Sequence, residues 1–198
     1  MMWGLIGVLG AVLGSFSNML VYRLPRSLDW VFKRSFCPDC NTSLKVQDLV
    51  PIMSYLCRLG RCGHCKERIS IRYLVVEVLV MTLGLVCYGF LGLTLESLMM
   101  FLFFWVMILV VFIDLAFYVI PDELTGLLAV VGTVWSVLEG RVIDSLWGCL
   151  CGAGIYFSLG VVSRFIYKRE TMGLGDVKLG AAIGLFWGLK VAGLTVYL

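Results

Sequence analysis

The sequence predicts an all-α polytopic membrane protein of about six transmembrane helices, with a small four-cysteine module between helices 1 and 2. Three observations lead there. Hydrophobic residues make up 61% of the chain and charged residues 15%, with a mean hydropathy of +0.98; soluble domains carry nearer about 25% charge. Six stretches approach the roughly 20 apolar residues that a spanning helix needs. The basic residues crowd onto one set of connecting segments. No basic stripe with interleaved aromatics is present, so a nucleic-acid partner is not expected.

The first span, Met2–Val21, lies in a segment 1–22 read as transmembrane helix 1. It lacks the positive n-region of a cleavable signal, and its nearest charge, Arg23, lies on its far side. It therefore reads as a signal anchor with the N-terminus outside. The other spans run roughly Tyr73–Leu95, Ser97–Tyr118, Glu123–Leu138, Asp144–Ile166 and Val177–Leu198, the fourth of the six being the shortest. Together they form a helical domain over residues 73–198.

With the N-terminus outside, Arg23, Arg26, Lys33, Arg34, Lys45, Arg58, Arg61, Lys66, Arg68 and Arg72 fall inside. Arg164, Lys168, Arg169 and Lys178 gather at the last inside boundary, leaving only Arg141 and Lys190 for the other face. That bias orients the chain, placing residues 23–72 in the cytosol. The expected location is a membrane, among its lipids, with the module facing the cytosol.

Segment 23–72 carries Cys37-Pro38-Asp39-Cys40, then 21 residues, then Cys62-Gly63-His64-Cys65. Two C-x-x-C knuckles so spaced read as a tetrahedral zinc site with Cys37, Cys40, Cys62 and Cys65 as thiolate ligands. Cytosolic thiols stay reduced, which favours metal over disulfide, and bound zinc supplies folding energy that a short polar loop lacks. A closed four-thiolate shell leaves no position for a reacting water, so the metal is structural. A redox-active C-x-x-C pair is the alternative. His64 reads as a turn residue, and Cys57, Cys87, Cys149 and Cys151 as packing residues.

Two acids remain at the inner edges of spans. Asp114 closes the run Ser97–Ile113, 17 residues past Ser97, or about 25 Å along a helix. Asp176 follows the turn Gly173-Leu174-Gly175 and opens the last span. Ionisable groups at such places are costly and read as functional by default. A carboxylate pair there is equipment for acid–base hydrolysis of a peptide bond; helix capping is the plainer role for Asp176. Asp122 and Glu123 suit a helix start after Pro121. Lys178 is left between a lipid phosphate and a site carboxylate. Glu77, one turn into span two, is read either as complementing the helix dipole or as a functional acid.

Four blocks resemble the type IV prepilin peptidases, membrane aspartyl proteases of GxGD type. They are Gly14-Ser15-Phe16-Ser17-Asn18 with Tyr22-Arg23-Leu24-Pro25, and the cysteine knuckles ending in Ile69-Ser70-Ile71-Arg72-Tyr73. The others are Ile113-Asp114 with Ile120-Pro121-Asp122-Glu123-Leu124-Thr125, and Gly173-Leu174-Gly175-Asp176-Val177-Lys178-Leu179. The resemblance implies cleavage of the basic leader of prepilins or pseudopilins at the cytosolic face, with Asp114 and Asp176 as the catalytic pair. It implies N-methylation of the new terminus from S-adenosylmethionine, with Glu77 in the region associated with methyl transfer. It also implies the pilus or secretion machinery as partners.

Two departures stand out. Where many members carry a second aspartate two positions after the first, this chain has Ala116, and where members continue with further helices it ends at Leu198, which reads as a shortened form or a piece of a longer chain. Rival readings are a presenilin-like protease and a non-enzymatic zinc-stabilised membrane scaffold or transporter.

Overall fold

The computed structural model describes residues 1–32, 34–167 and 173–189. Lys33, Lys168, Arg169, Lys190 and the end of the sixth predicted span lie outside them. Seven α-helices appear among the described residues: α1 (Met2–Arg23), α2 (Met53–Cys57), α3 (Arg72–Leu91), α4 (Leu95–Phe117), α5 (Asp122–Leu138), α6 (Val142–Tyr167) and α7 (Leu174–Trp187). The architecture is all-helical, with two isolated bridges, Phe36 to Ser43 and Arg61 to Arg68.

Four helical stretches are long and apolar enough to cross a membrane: Met2–Arg26, Arg72–Leu91, Leu95–Phe117 and Val142–Ile166. These match the first, second, third and fifth expected spans. The fourth, α5, has 17 residues, and α7 has 14 before Gly188 breaks it at φ +77°. About 20 residues cross a hydrocarbon core without help, so six spans remains an expectation.

The chain gathers into two compact units, Met1–Ile113 and Asp114–Leu198. In the first, α1 packs on α3 through glycines. A Cβ on Gly10 would lie 2.8 Å from the Met81 Cα, and one on Gly14 2.6 Å from the Glu77 Cα. Spaced four apart, these glycines let the backbones touch where lipid supplies no hydrophobic drive. Polar side chains then lock the seam. The Asn18 amide donates to the Tyr73 carbonyl at 2.8 Å, and the Trp105 indole of α4 donates to Ser17 Oγ at 2.8 Å.

In the second unit α6 and α7 cross antiparallel, with Gly148 against Gly184 and Gly152 against Gly180. Gly148 and Gly152 thus let the two backbones touch, whereas Gly154 faces open space. α5 covers the other side of α7, where Gly132 approaches the Phe186 backbone and Trp135 stacks on the buried Phe186 ring at 6.2 Å. Gly184→Leu would drive a side chain into the Gly148 carbonyl. We expect it to cost about 3 kcal/mol, read from reversible unfolding in bicelles; a cost near zero would mean that the crossing is loose.

A candidate active site, a thiolate centre and a cavity on α1 and α3

The knuckles are built twice from one plan. The Cys37 amide donates to the Thr42 carbonyl, the Asn41 amide to Cys37 and the Leu44 amide to Ser35. Twenty-five residues later the Cys62 amide donates to Glu67, the Lys66 amide to Cys62 and the Ile69 amide to Gly60. Asn41 and Lys66 occupy the same left-handed position, at φ 54° and 62°. Each turn lifts two sulfurs toward a common point.

All four Sγ atoms lie within 4.8 Å of one another, and Cys37 and Cys65 are 3.9 Å apart. Zn–S bonds of about 2.3 Å in a tetrahedron put sulfurs about 3.8 Å apart, so the cluster fits zinc. All eight cysteines are free thiols. The four sulfurs divide: the Thr42 hydroxyl and amide hold Cys40 down at about 6, and the His64 and Cys65 amides lower Cys62. Burial raises Cys37, and Cys65, despite the Glu67 amide, is pushed up to about 12 by burial and its sulfur neighbours. So many thiolates cannot crowd together without a cation, and that is the chemistry of the donor set. His64 is an exposed turn residue outside the cluster. Cys57, expected to pack, is exposed instead, because α2 is too short to cover it.

The loop between the knuckles returns to the membrane helices. Asp48 pairs with Arg58, and Glu77, buried on α3, accepts the Ile52 amide at 2.7 Å. Ile52 sits at φ 63°, ψ −54°, a place that costs a β-branched residue about 1–3 kcal/mol. Glu77 therefore holds a strained backbone as well as filling a helix start. Beside it opens a cavity of about 420 Å³ lined by Ser15, Asn18, Tyr22, Arg72, Tyr73 and Glu77, among others. Among the described residues, Asn18 Oδ1 and Arg72 Nε are buried without a partner. One acceptor, one donor and a carboxylate are thus available to a ligand.

Asp114 lies in the last turn of α4, exposed, with its own carbonyl accepting the Tyr118 amide. Asp176 is the third residue of α7 rather than its cap: Gly173 takes the cap position, and the Asp176 carboxylate reaches back to accept the Gly173 amide at 3.1 Å. Among the described residues no hydrogen bond joins the two carboxylates. The glycine turn is seated on the start of α5, where a Cβ on Gly175 would lie 3.2 Å from Ile120 Cβ. Asp122 and Glu123 open α5 as expected, and Lys178 donates to Asp122 at 2.6 Å. That pairing, 56 residues apart, was invisible to a local reading.

Both partners of the Lys178–Asp122 pair are well exposed, so it contributes at most about 1 kcal/mol. Exchanging the charges, Asp122→Lys with Lys178→Asp, is expected to restore most of the stability that either single change removes. Double variants no better than the singles would show that the pair does not seat the turn.

A model of the bacterial peptidase A24 N-terminal domain matches residues 8–91, and one of the type IV leader peptidase family matches residues 101–198. A prepilin leader peptidase/N-methyltransferase of Legionella pneumophila is 32% identical over 94% of this chain and 74% of its own length. Proteins of the same description from Vibrio cholerae serotype O1 and Neisseria gonorrhoeae are 30% and 31% identical, over 94% and 98% of this chain and 78% and 77% of theirs. No solved structure matches the chain.

Proposed function

The chain belongs to the type IV leader peptidase family, and from that premise we propose that it removes the leader of a type IV prepilin or pseudopilin and methylates the new N-terminus. The observation that carries the peptidase half is the placement of Asp176 in the first turn of α7, fixed by Gly173 and seated on Ile120. Asp114 is its partner. Two carboxylates sharing one proton form an acid–base couple. Helix polarity distributes the roles, since Asp176 stands at the positive end of α7 and Asp114 at the negative end of α4.

In this scheme Asp176 carries the charge and takes a proton from water as it attacks the scissile carbonyl. Asp114 holds the shared proton on the carbonyl oxygen. The tetrahedral species collapses as a proton passes to the leaving amine, which becomes the mature N-terminus. The two acids then stand as they began.

The cavity on α1 and α3 suits the methyl donor. S-adenosylmethionine, when bound, supplies an electrophilic methyl group to that amine. Arg72 would hold its carboxylate, Asn18 its ammonium, and the Tyr22 and Tyr73 rings would face its cation. Glu77 would accept the proton that the substrate ammonium must lose. Glu77→Gln keeps an oxygen for the Ile52 amide, so we expect cleavage to persist while methylation falls by about a hundredfold. Unchanged methylation would take Glu77 out of this role.

The basic bias supports a cytosolic position, at an inner membrane, for residues 23–72 and the acids, where a leader would meet them. A prepilin co-expressed with the protein and weighed by mass spectrometry tests the whole reading. Loss of the leader together with one added methyl is expected; an uncut substrate would sink it.

A further inference from the structure

The segment that leaves α1 does not simply turn toward the knuckles. A three-residue helical turn, Leu24–Arg26, ends at Ser27, whose left-handed φ of 52° reverses the chain and brings the Leu28 amide back to the Arg23 carbonyl. The buried Arg23 guanidinium then donates to the Asp29 carbonyl at 3.0 Å and the Arg34 carbonyl at 2.9 Å. Both ends of a short loop are thereby tied to the last residue of α1. Inside it, Asp29 Oδ1 accepts the Val31 and Phe32 amides and turns the tip outward.

The tip is apolar. Trp30, Val31 and Phe32 are 42%, 59% and 88% exposed. Apolar exposure on α1, α3 or α4 is explained by lipid, but this tip belongs to no span. It is flanked by cations, with Arg34 exposed and the Arg26 guanidinium lying over the Tyr22 ring at 4.1 Å. Three apolar side chains on a loop pinned to the last residue of a membrane helix, and beside two arginines, match one surface. That surface is the headgroup region of a bilayer carrying anionic lipid, where tryptophan and arginine side chains both settle.

We propose that Trp30, Val31 and Phe32 insert into the membrane interface and hold the four-cysteine module against the bilayer. The anchor rests on α1 crossing the membrane and on no catalytic claim, so it stands or falls apart from the peptidase reading. Apolar insertion would supply the depth, and arginine contact with lipid phosphates the preference for anionic headgroups.

The test uses the full chain in vesicles of phosphatidylcholine and phosphatidylglycerol, with lipids brominated at shallow or deep acyl positions. Subtracting the emission of Trp30→Phe from that of the unchanged protein isolates Trp30. A blue-shifted difference spectrum, quenched more by shallow than by deep bromines, is expected, and Phe32→Ser should weaken that quenching. A water-like spectrum that bromine leaves untouched would overturn the proposal. So would a blue-shifted spectrum insensitive to bromine, since it would mean that protein, not lipid, covers the tip.

Discussion

Asp114→Asn and Asp176→Asn are each expected to lower leader cleavage by about a thousandfold or more. Asparagine preserves shape but cannot move a proton, and one acid cannot do the work of two. Because Asp114 is exposed, its replacement should cost little stability. Asp176→Asn keeps an oxygen for the Gly173 amide, so α7 should still start at Leu174. The readout is initial cleavage of a purified prepilin, with methylation of an already cut substrate as the control. Methylation should survive in both variants, since its proposed residues lie on α1 and α3. Wild-type cleavage in either variant would remove the proton-sharing pair.

Loss of the metal should act on the other activity. Replacing Cys37 or Cys62 by Ser leaves three sulfurs, and structural zinc sites of this kind hold about 10–16 kcal/mol of apparent binding energy, most of which appears as folding energy. We expect about one zinc per chain in the intact protein and none in either variant. Residues 35–69 should then become protease-sensitive while the membrane helices stay folded. Acid works in the same direction, since protons compete with the ion for the same sulfurs. A variant that keeps its metal, or a metal-free module that resists protease, would contradict the thiolate centre. Methylation should fall along with the module, because Ser54, Tyr55 and Arg58 of the inter-knuckle segment line the cavity beside Glu77.

The helices and the cysteine cluster could be read directly from the chain because their signals are local. Long apolar runs must be helical to satisfy their backbones in lipid, and two C-x-x-C knuckles define a ligand set by spacing alone. The acids were legible as residues but not as geometry. That Asp176 sits inside the first turn, with Gly173 as its cap, depends on where α7 begins, and a boundary shift of two residues changes the role. Lys178 finding Asp122, and Glu77 finding the Ile52 amide, are tertiary contacts that no periodicity announces. The buried Arg23 was counted as an orienting charge, yet it works as a clamp on two carbonyls. The length of α7 escaped as well, since Gly188 ends that segment at positive φ before the apolar run is exhausted.

The doubled plan of the knuckles has one more consequence. Neither copy can retain an ion by itself, because each brings only half of the grip, yet each is stitched internally by its own amides. Severing the chain between Lys45 and Gly60 should therefore leave two preformed jaws still clasping a shared captive. The peptide link between them serves chiefly to carry Ile52 to Glu77, so such a nicked protein should keep its ion while its cavity slackens.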